Sequence, residues 1–178
     1  MNIWLKEIAL EDGKEYYDIL MELSGYKDAY AKPLPDDDMS LEDFEFFKQA
    51  RVKMKDANSI PESVMPTSTY WIMNESVPIG YATLKHKIDP NKPGGHFGCC
   101  LIKSFQNKGI GSLVAEELSR IAFEELGIEE VIYTSKNENV QSQKSVDKIG
   151  ATLIGIHDGY HFYSVSLREK FNKEGRNV

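Results

Sequence analysis

The sequence predicts an α+β fold with a mixed, mostly antiparallel central sheet of about seven strands and about four flanking helices. Three observations lead to this prediction. Two early segments have apolar residues at helical spacing, the next three segments alternate with a period of two, and the last third alternates between helix and strand patterns. The 178 residues suit one domain, and neither a repeat nor a change in composition divides residues 1–178.

The composition is typical of a soluble globular protein and argues against several classes. Hydrophobic residues make up 41% of the chain, and the net charge of -7 disfavours a general nucleic-acid binder. We see no signal peptide and no apolar run of the roughly 20 residues that a membrane span requires. Cys99 and Cys100 are adjacent, so they form no intrachain disulfide, and with scattered histidines they form no metal site. We therefore expect a cytoplasmic protein without metal, membrane or nucleic-acid partners.

The first third of the chain is predicted to supply one strand and two helices. The strand covers residues 3–10, and the first helix opens at Glu11 and stops near Gly25. An acidic, proline-containing loop follows. Ser40 and Asp43 then form a capping box for a second helix that runs to about residue 55.

The middle of the chain is predicted to be an antiparallel meander. Strands cover residues 69–74, 77–88 and 96–102, and short turns join them. Gly80 lies inside the second of these strands and marks a β-bulge.

The last third returns to helices and strands in alternation. A helix runs from Ile110 to Leu126, a strand covers 131–135, and Asn139 caps a helix over 140–148. The final strands, 151–157 and 161–167, flank an Asp-Gly turn, and residues 168–178 are expected to fray. The strand–helix–strand unit in this part predicts a right-handed parallel crossover.

The strand, glycine turn and helix start within residues 101–112 predict an anion site. Free amides point outward at a helix N-terminus, and the helix dipole adds partial positive charge there. Gly109 and Gly111 let a phosphate approach the backbone, and Lys103 and Lys108 lie beside them in sequence. We therefore expect this turn to hold a pyrophosphate, although both lysines are equally consistent with a solvated role because the amides alone can bind phosphate.

Two common phosphate-binding patterns do not fit. A dinucleotide-binding Rossmann turn needs a third glycine where Val114 stands, and an acid at the end of the next strand, where Ser135 and Lys136 stand. A P-loop needs Gly-Lys-Ser/Thr, which is missing here. The antiparallel meander also argues against a doubly wound sheet, so a nicotinamide enzyme is disfavoured.

Two separated motifs resemble those of the GNAT N-acetyltransferase superfamily. Residues 106–111 read Gln-Asn-Lys-Gly-Ile-Gly, which is similar to the family's Gln/Arg-X-X-Gly-X-Gly/Ala acetyl-CoA motif. Asn-Val-Gln-Ser at 139–142 and Lys-Ile-Gly at 148–150 are similar to its next block. The order of elements also matches over nearly the whole chain, and Gly-His-Phe-Gly at 95–98 resembles a bacterial branch of predicted acetyltransferases. The resemblance implies one GNAT-like acetyltransferase domain over residues 1–178.

The resemblance also implies acetyl-CoA as cosubstrate and no metal. Backbone amides of the motif loop (residues 106–112) would bind the CoA pyrophosphate. The preceding strand would splay from its neighbour and pair with the pantetheine arm, and one of its amides would polarise the thioester carbonyl. Asn139 would lie near the thiol besides capping a helix. The implied cofactor-binding residues are Leu101, Ile102, Lys103, Gln106, Asn107, Lys108, Gly109, Ile110, Gly111, Ser112 and Asn139.

The implied reaction is direct attack of a primary amine on the thioester. Many family members use a tyrosine seven residues after the Asn as general acid, and here that position is Val146. His96 is the candidate for acid–base work because imidazole titrates near neutral pH, with a structural role as the alternative. Tyr160 and His161 are further candidates. Cys99, Cys100 and Tyr133 are expected to be packed side chains.

The sequence leaves two functions open. The first is an active N-acetyltransferase for an unidentified amine acceptor, either a small molecule or a peptide. The second is a catalytically weak or inactive acyl-CoA-binding regulatory domain, suggested by Val146. The acidic run 36–38 and the nearby Glu42 and Asp43 either attract an ammonium acceptor or are solvated. Dimerisation is common in the family, and a homodimer stays an alternative to a monomer.

Overall fold

The computed structural model describes residues 1–26, 38–89 and 94–166. The strands in these ranges are β1 (Ile3–Glu7), β2 (Thr67–Asn74), β3 (Val77–Lys85), β4 (Phe97–Leu101), β5 (Glu130–Lys136), β6 (Thr152–His157) and β7 (Tyr160–Ser166). The helices are α1 (Lys14–Ser24), α2 (Leu41–Met54), α3 (Ile110–Glu124) and α4 (Val140–Lys148). The predicted α+β class and order of elements are confirmed. The predicted fraying of 168–178, Asp36 and Asp37 of the acidic run, and most of the 89–95 turn lie outside the described residues.

The strands form two antiparallel sheets, one in the order β1-β2-β3-β4 and one in the order β5-β7-β6. The sheets meet where β4 begins, because the His96 amide donates to the Ile132 carbonyl at 2.8 Å. Within the described ranges β4 and β5 share no ladder. The splay that the resemblance implied is therefore confirmed, and the crossover brings β4 and β5 together at one end only.

Several boundaries differ from the predicted ones for local reasons. β1 ends at Glu7 because the chain turns at Asp12, whose carboxylate accepts from the Ala9 amide at 2.8 Å. β3 ends at Lys85 because the next residue faces Pro66, whose carbonyl accepts from the His86 amide but which has no amide to return the bond. The β2–β3 register shifts opposite Gly80, so the predicted bulge is confirmed.

Helices α1 and α2 cover one face of the four-stranded sheet through an aromatic core. Trp71 of β2 and Tyr81 of β3 are fully buried, with ring centroids 5.8 Å apart. Phe44 of α2 and Tyr16 of α1 pack on Trp71 at 6.4 and 5.2 Å. The predicted capping box is present, since Ser40 and Asp43 each accept from the other's amide.

A buried polar network fixes these helices over the sheet. The Asp12 carboxylate accepts from the indole N–H of Trp71 at 2.7 Å and pairs with Lys6. The buried ammonium of Lys48 on α2 donates to the carbonyls of Leu10 and Asp12, both at 2.7 Å. Because each buried charge has partners, the network links β1, α2 and β2 without an unpaired ion.

Helix α3 packs where the two sheets meet. Phe97 of β4 makes an edge contact with Tyr133 of β5, with ring centroids 4.1 Å apart. The Tyr133 hydroxyl reaches α3, where it bonds Ser119 and donates to the Ala115 carbonyl at 3.1 Å. Tyr133 is buried, so its predicted core role is confirmed. This contact positions the N-terminus of α3 at the gap between β4 and β5.

Candidate active site

A cleft of about 1100 Å³ lies between β4 and β5. The C-terminal end of α1, the motif loop and one side of α4 complete its walls. The lining includes most of the predicted cofactor-binding residues, namely Leu101, Lys103, Gln106, Asn107, Gly109, Ile110, Gly111, Ser112 and Asn139. Ile102, Lys108 and His96 are not part of the lining. Residues distant in sequence are thus brought to one opening by the splay of the sheets.

The motif loop presents a run of free amides to this cleft. Asn107 and Gly109 have left-handed backbones, with φ of 60° and 79°. In the described structure the amides of residues 107–111 have no hydrogen-bond partner, whereas the Ser112 amide donates to the Gly109 carbonyl at 3.2 Å. Successive unpaired N–H groups at a helix N-terminus form a concave anion site. The loop therefore has the chemistry expected of a pyrophosphate cradle.

Gly109 and Gly111 of the motif loop are each required to be glycine, for different structural reasons. Gly109 needs glycine for its positive φ, and a Cβ there would find only the Lys148 ammonium, at 3.9 Å. Gly111 lets α4 approach α3, because a Cβ would lie 2.8 Å from the Ser145 hydroxyl oxygen. Lys148 thus places a positive charge beside the motif loop. Lys148 belongs to the Lys-Ile-Gly block found in the sequence, but no role was assigned to it from the sequence. Lys108 lies instead over the Phe105 ring at 5.0 Å.

Gln106 and Asn139 hold the loops that border the cleft. The Gln106 side-chain amide donates to the Leu101 carbonyl at 2.8 Å and ties the motif loop to the end of β4. The Asn139 carbonyl oxygen Oδ1 accepts from the Ser142 amide at 3.1 Å, which confirms the predicted N-cap. The Nδ2 atom at the other end of the Asn139 side chain has no bonding partner in the described ranges, and Asn139 is one of the residues that line the cleft.

Strand β4 has one free edge, and it faces the cleft. The Lys85 amide donates to the His96 carbonyl, and the Ile102 amide donates to the Ile79 carbonyl. Antiparallel bonding alternates between these positions, so the backbone groups of Phe97, Cys99 and Leu101 point away from β3. Of the three β4-end residues proposed from the sequence, Leu101 lies on the free edge, while the amides of Ile102 and Lys103 are already bonded.

Tyr26 closes the cleft where β4 enters the motif loop. Its hydroxyl accepts from the Lys103 amide at 3.0 Å and donates to Glu22 of α1 at 2.6 Å. The Lys103 ammonium lies 5.2 Å from the Tyr26 ring centroid. Burial raises the pKa of Tyr26, so the phenol stays protonated near neutral pH. Sequence reasoning missed Tyr26 because its partner is 77 residues away.

His96 has a structural environment. The residue is 5% exposed, and its Nδ1 accepts from the Ile132 amide at 2.9 Å. Burial, with a smaller effect of the Lys85 charge, lowers its pKa and keeps the ring neutral. The neutral ring therefore carries its proton on Nε2. This geometry joins the two sheets and gives no support to the acid–base role suggested for His96.

The other candidate side chains divide by their access to the cleft. Val146 lines it and is buried, so no hydroxyl stands at the family's tyrosine position. Tyr160 lines it, whereas His161 does not. Burial raises the pKa of the Cys99 thiol to about 12 and that of Cys100 to about 11, so both are protonated and poor nucleophiles at neutral pH.

Neither a membrane span nor a metal cluster is found in the part of the chain that the structure describes. No helix there combines the length and apolar content that crossing a bilayer needs. Nor do three side chains of His, Cys, Asp or Glu come together there.

The chain that forms this glycine turn at the splay of β4 and β5 matches the model of a known protein family. The model of the acetyltransferase (GNAT) domain matches residues 3–152. The chain belongs to the GNAT acetyltransferase family. A search of curated proteins finds no match.

Solved acetyltransferases share the fold at low identity. The N-acetyltransferase PseH of Campylobacter jejuni, in complex with acetyl coenzyme A, is 15% identical with a TM-score of 0.62, over 93% of this chain and 99% of that one. RimL, a ribosomal alpha-N-protein acetyltransferase, is 15% identical with a TM-score of 0.68, over 94% and 91%. The self-immunity acetyltransferase MccE, in complex with acetyl-CoA and AMP, is 18% identical with a TM-score of 0.66, over 93% and 92%.

Proposed function

We propose that this protein is an acetyl-CoA-dependent N-acetyltransferase that transfers an acetyl group directly to a primary amine. The observation that carries the proposal is the run of unpartnered amides at 107–111, which opens into a cleft along the free edge of β4. Family membership supports acetyl transfer, and the PseH and MccE structures hold acetyl-CoA. The acceptor amine enters from the side of the cleft away from the motif loop.

Each part of the cleft has a role in this proposal. The amides at 107–111 bind the CoA pyrophosphate, with Lys148 adding positive charge. The outward backbone groups of Cys99 and the outward amide of Leu101, whose carbonyl is bonded to Gln106, bond the pantetheine arm as a neighbouring strand would. One outward amide of β4 donates to the thioester oxygen and stabilises the negative charge that develops during attack. Asn139 Nδ2 donates to the arm near the thiol.

The chemical step needs little from side chains. The neutral amine nitrogen attacks the thioester carbon, the C–N bond forms, and the C–S bond breaks with its electron pair leaving on sulfur. A thiol has an unperturbed pKa of about 8.5, so the thiolate is a good leaving group and takes a proton from water in the open cleft. The proton lost by the amine also goes to water. The protein then contributes positioning and oxyanion stabilisation, which fits Val146 and the bonded His96.

The alternative is an acyl-CoA-binding domain with little or no catalysis. Val146 favours it, since the family's usual acid is missing. Release of CoA thiol from acetyl-CoA in the presence of amino acids, polyamines, aminoglycosides and peptides separates the two functions. Amine-dependent thiol release supports the transferase. CoA binding without release across the whole panel supports the binding domain instead.

A glycine substitution tests the cofactor site itself. Gly109→Val places a β-branched side chain at a φ of 79° in the mouth of the amide run and is expected to abolish CoA binding in calorimetry. Gly127→Val is the matched control, because Gly127 has a φ of 66° with open space around it. Both variants carry a similar backbone strain of about 1–3 kcal/mol. Normal CoA binding by folded Gly109→Val would refute the proposed pyrophosphate site.

A further inference from the structure

Two polar side chains of β3 lie together at the end of the cleft remote from the motif loop. Thr83 is 6% exposed and lines the cleft, yet its hydroxyl has no hydrogen-bond partner within the described ranges. Lys85 lines the same end, and no carboxylate of the described residues comes within 4.0 Å of its ammonium. Residues two apart on a strand share a face at a spacing of about 7 Å. The Thr83 hydroxyl and the Lys85 ammonium thus open into the same space, and neither has a partner among the described residues.

The surroundings leave room for a ligand beside these two groups. Thr83 pairs in register with Gly98, which has no side chain to cover the hydroxyl. A Cβ built on Gly94 would lie 3.5 Å from the Lys85 ammonium, so glycine also keeps that side open. The Lys85 amide bonds His96 ahead of β4, whereas the motif loop follows Leu101. Along β4 this places Lys85 about 16 Å and Thr83 about 10 Å from the end of the strand at Leu101.

The charge of the cleft favours an anion at both ends. Its lysines outnumber its acids although the whole chain carries a net charge of -7. The acid in the lining, Glu138, lies 3.9 Å from the Lys136 ammonium and is partly neutralised by it. A groove of one charge sign concentrates ligands of the opposite sign. Lys103 and Lys148 stand near the motif loop, which leaves the far end to Lys85.

We propose that Thr83 and Lys85 form an anion subsite that binds a carboxylate or phosphate group of the acceptor. The inference rests on the proposed function, since it assumes that the acceptor amine enters this end of the cleft. The Lys85 ammonium pairs with the anion and the Thr83 hydroxyl donates to one of its oxygens. The acceptor class is therefore an amine that also carries an acidic group. This differs from the expectation that an acidic surface attracts a simple ammonium acceptor, since Asp43 is engaged in a helix cap and does not line the cleft.

Paired probes test the subsite directly. The protein is first saturated with CoA, which fills the motif loop, and is then titrated calorimetrically with O-phosphoethanolamine against ethanolamine, and with glycine against glycinamide. The acidic member of at least one pair is expected to bind about tenfold more tightly than the counterpart that lacks the acidic group. The two pairs also distinguish a phosphate from a carboxylate.

Variants assign the preference to the two residues. Lys85→Gln is expected to lower the affinity for the acidic probe about tenfold, and Thr83→Val is expected to lower it by a smaller factor. Neither variant should change the affinity for CoA. Lys87→Gln is the matched control, because Lys87 is exposed nearby and does not line the cleft. Equal binding within each pair, absence of binding by both acidic probes, or a preference that survives Lys85→Gln would each overturn the proposal. Failure of CoA itself to bind would instead count against the proposed function.

Discussion

At the residue scale, His96 shows how one imidazole can serve the fold at a position for which the sequence left a catalytic and a structural role open. Its backbone amide donates to the Ile132 carbonyl of β5, its carbonyl accepts from the Lys85 amide of β3, and its ring accepts from the Ile132 amide. The ring stabilises the folded protein most when it is neutral, because a protonated Nδ1 cannot accept a hydrogen bond. The lowered pKa of His96, caused mainly by burial, keeps it so.

This environment predicts a pH dependence of stability. The unfolded imidazole takes up a proton below about pH 6.5, whereas the folded one resists until a lower pH. The contribution of His96 to the free energy of unfolding is therefore complete above about pH 6.5. It decreases as the pH falls towards the pKa of His96 in the folded protein. His96→Asn, which keeps an acceptor for the Ile132 amide, should show a shallower fall in urea denaturation between pH 8 and 5.

Two measurements on His96→Asn decide what His96 does. The pKa of His86 is also lowered by burial, so part of the dependence should remain in His96→Asn. Acetyl transfer should survive in folded His96→Asn. A folded but inactive variant would restore His96 as an acid–base residue.

At the element scale, the start of β4 is the contact that sets the angle between the sheets. The Gly95 amide donates to the Thr134 hydroxyl at 3.1 Å, directly before the His96–Ile132 bonds. A Cβ on Gly95 would lie far inside contact distance of the Ile132 carbonyl oxygen. Only glycine therefore lets the two strands approach here and diverge towards Leu101. That divergence creates the free edge of β4.

We expect Gly95→Ala to loosen this junction. Overpacking against a backbone carbonyl should lower the free energy of unfolding by about 1–3 kcal/mol, and the altered angle should weaken CoA binding as well. Gly155→Ala is the control, since a Cβ there meets only the His157 ring at 3.6 Å and should change stability by less than about 0.5 kcal/mol. Urea denaturation and calorimetry with CoA measure both effects. An unchanged Gly95→Ala would mean that the sheet angle is set elsewhere.

At the scale of the whole molecule, β6 is an apolar edge strand. In the described structure it pairs only with β7. Ile154 and Ile156 are 55% and 56% exposed, and Leu153 is exposed as well. Residues 152–157 carry no formal charge at neutral pH, so two copies can meet edge to edge without like-charge repulsion. An exposed apolar edge of this kind is a template for strand pairing.

We therefore predict a homodimer in which two β6 strands pair antiparallel about a two-fold axis. Light scattering after gel filtration should show a dimer for the wild type and a monomer for Ile154→Lys, because equal charges would face each other across the axis. Phe46→Lys on α2, at a 62% exposed position, should leave the dimer intact. A wild type that stays monomeric up to high concentration would contradict this interface.

Much of this protein was predictable from sequence because the signals are local. Helical and strand periodicity placed the elements, and the Ser40–Asp43 box and the Asn139 cap depend on neighbours three residues away. The α4 bounds agree with the predicted ones for this reason. Other features were missed because their partners are distant. The hydrogen bond between Tyr26 and Lys103 forms only after folding. Thr83 and the motif loop likewise line the same cleft only in the folded chain.

The sequence by itself determined the chemistry of the motif loop, since the first amides of a helix lack intrahelical partners and Gly109 at the N-cap of α3 has no side chain to accept from them. The tertiary structure decided which other groups remain available. The ladder with β3 engages the amide of Ile102 and directs that of Leu101 outward. The same packing engages His96 with β5 and leaves the Thr83 hydroxyl and the Lys85 ammonium without a partner among the described residues. Hydrogen-bonding capacity depends on which strand lies alongside, and that is a property of the assembled sheets rather than of residue order.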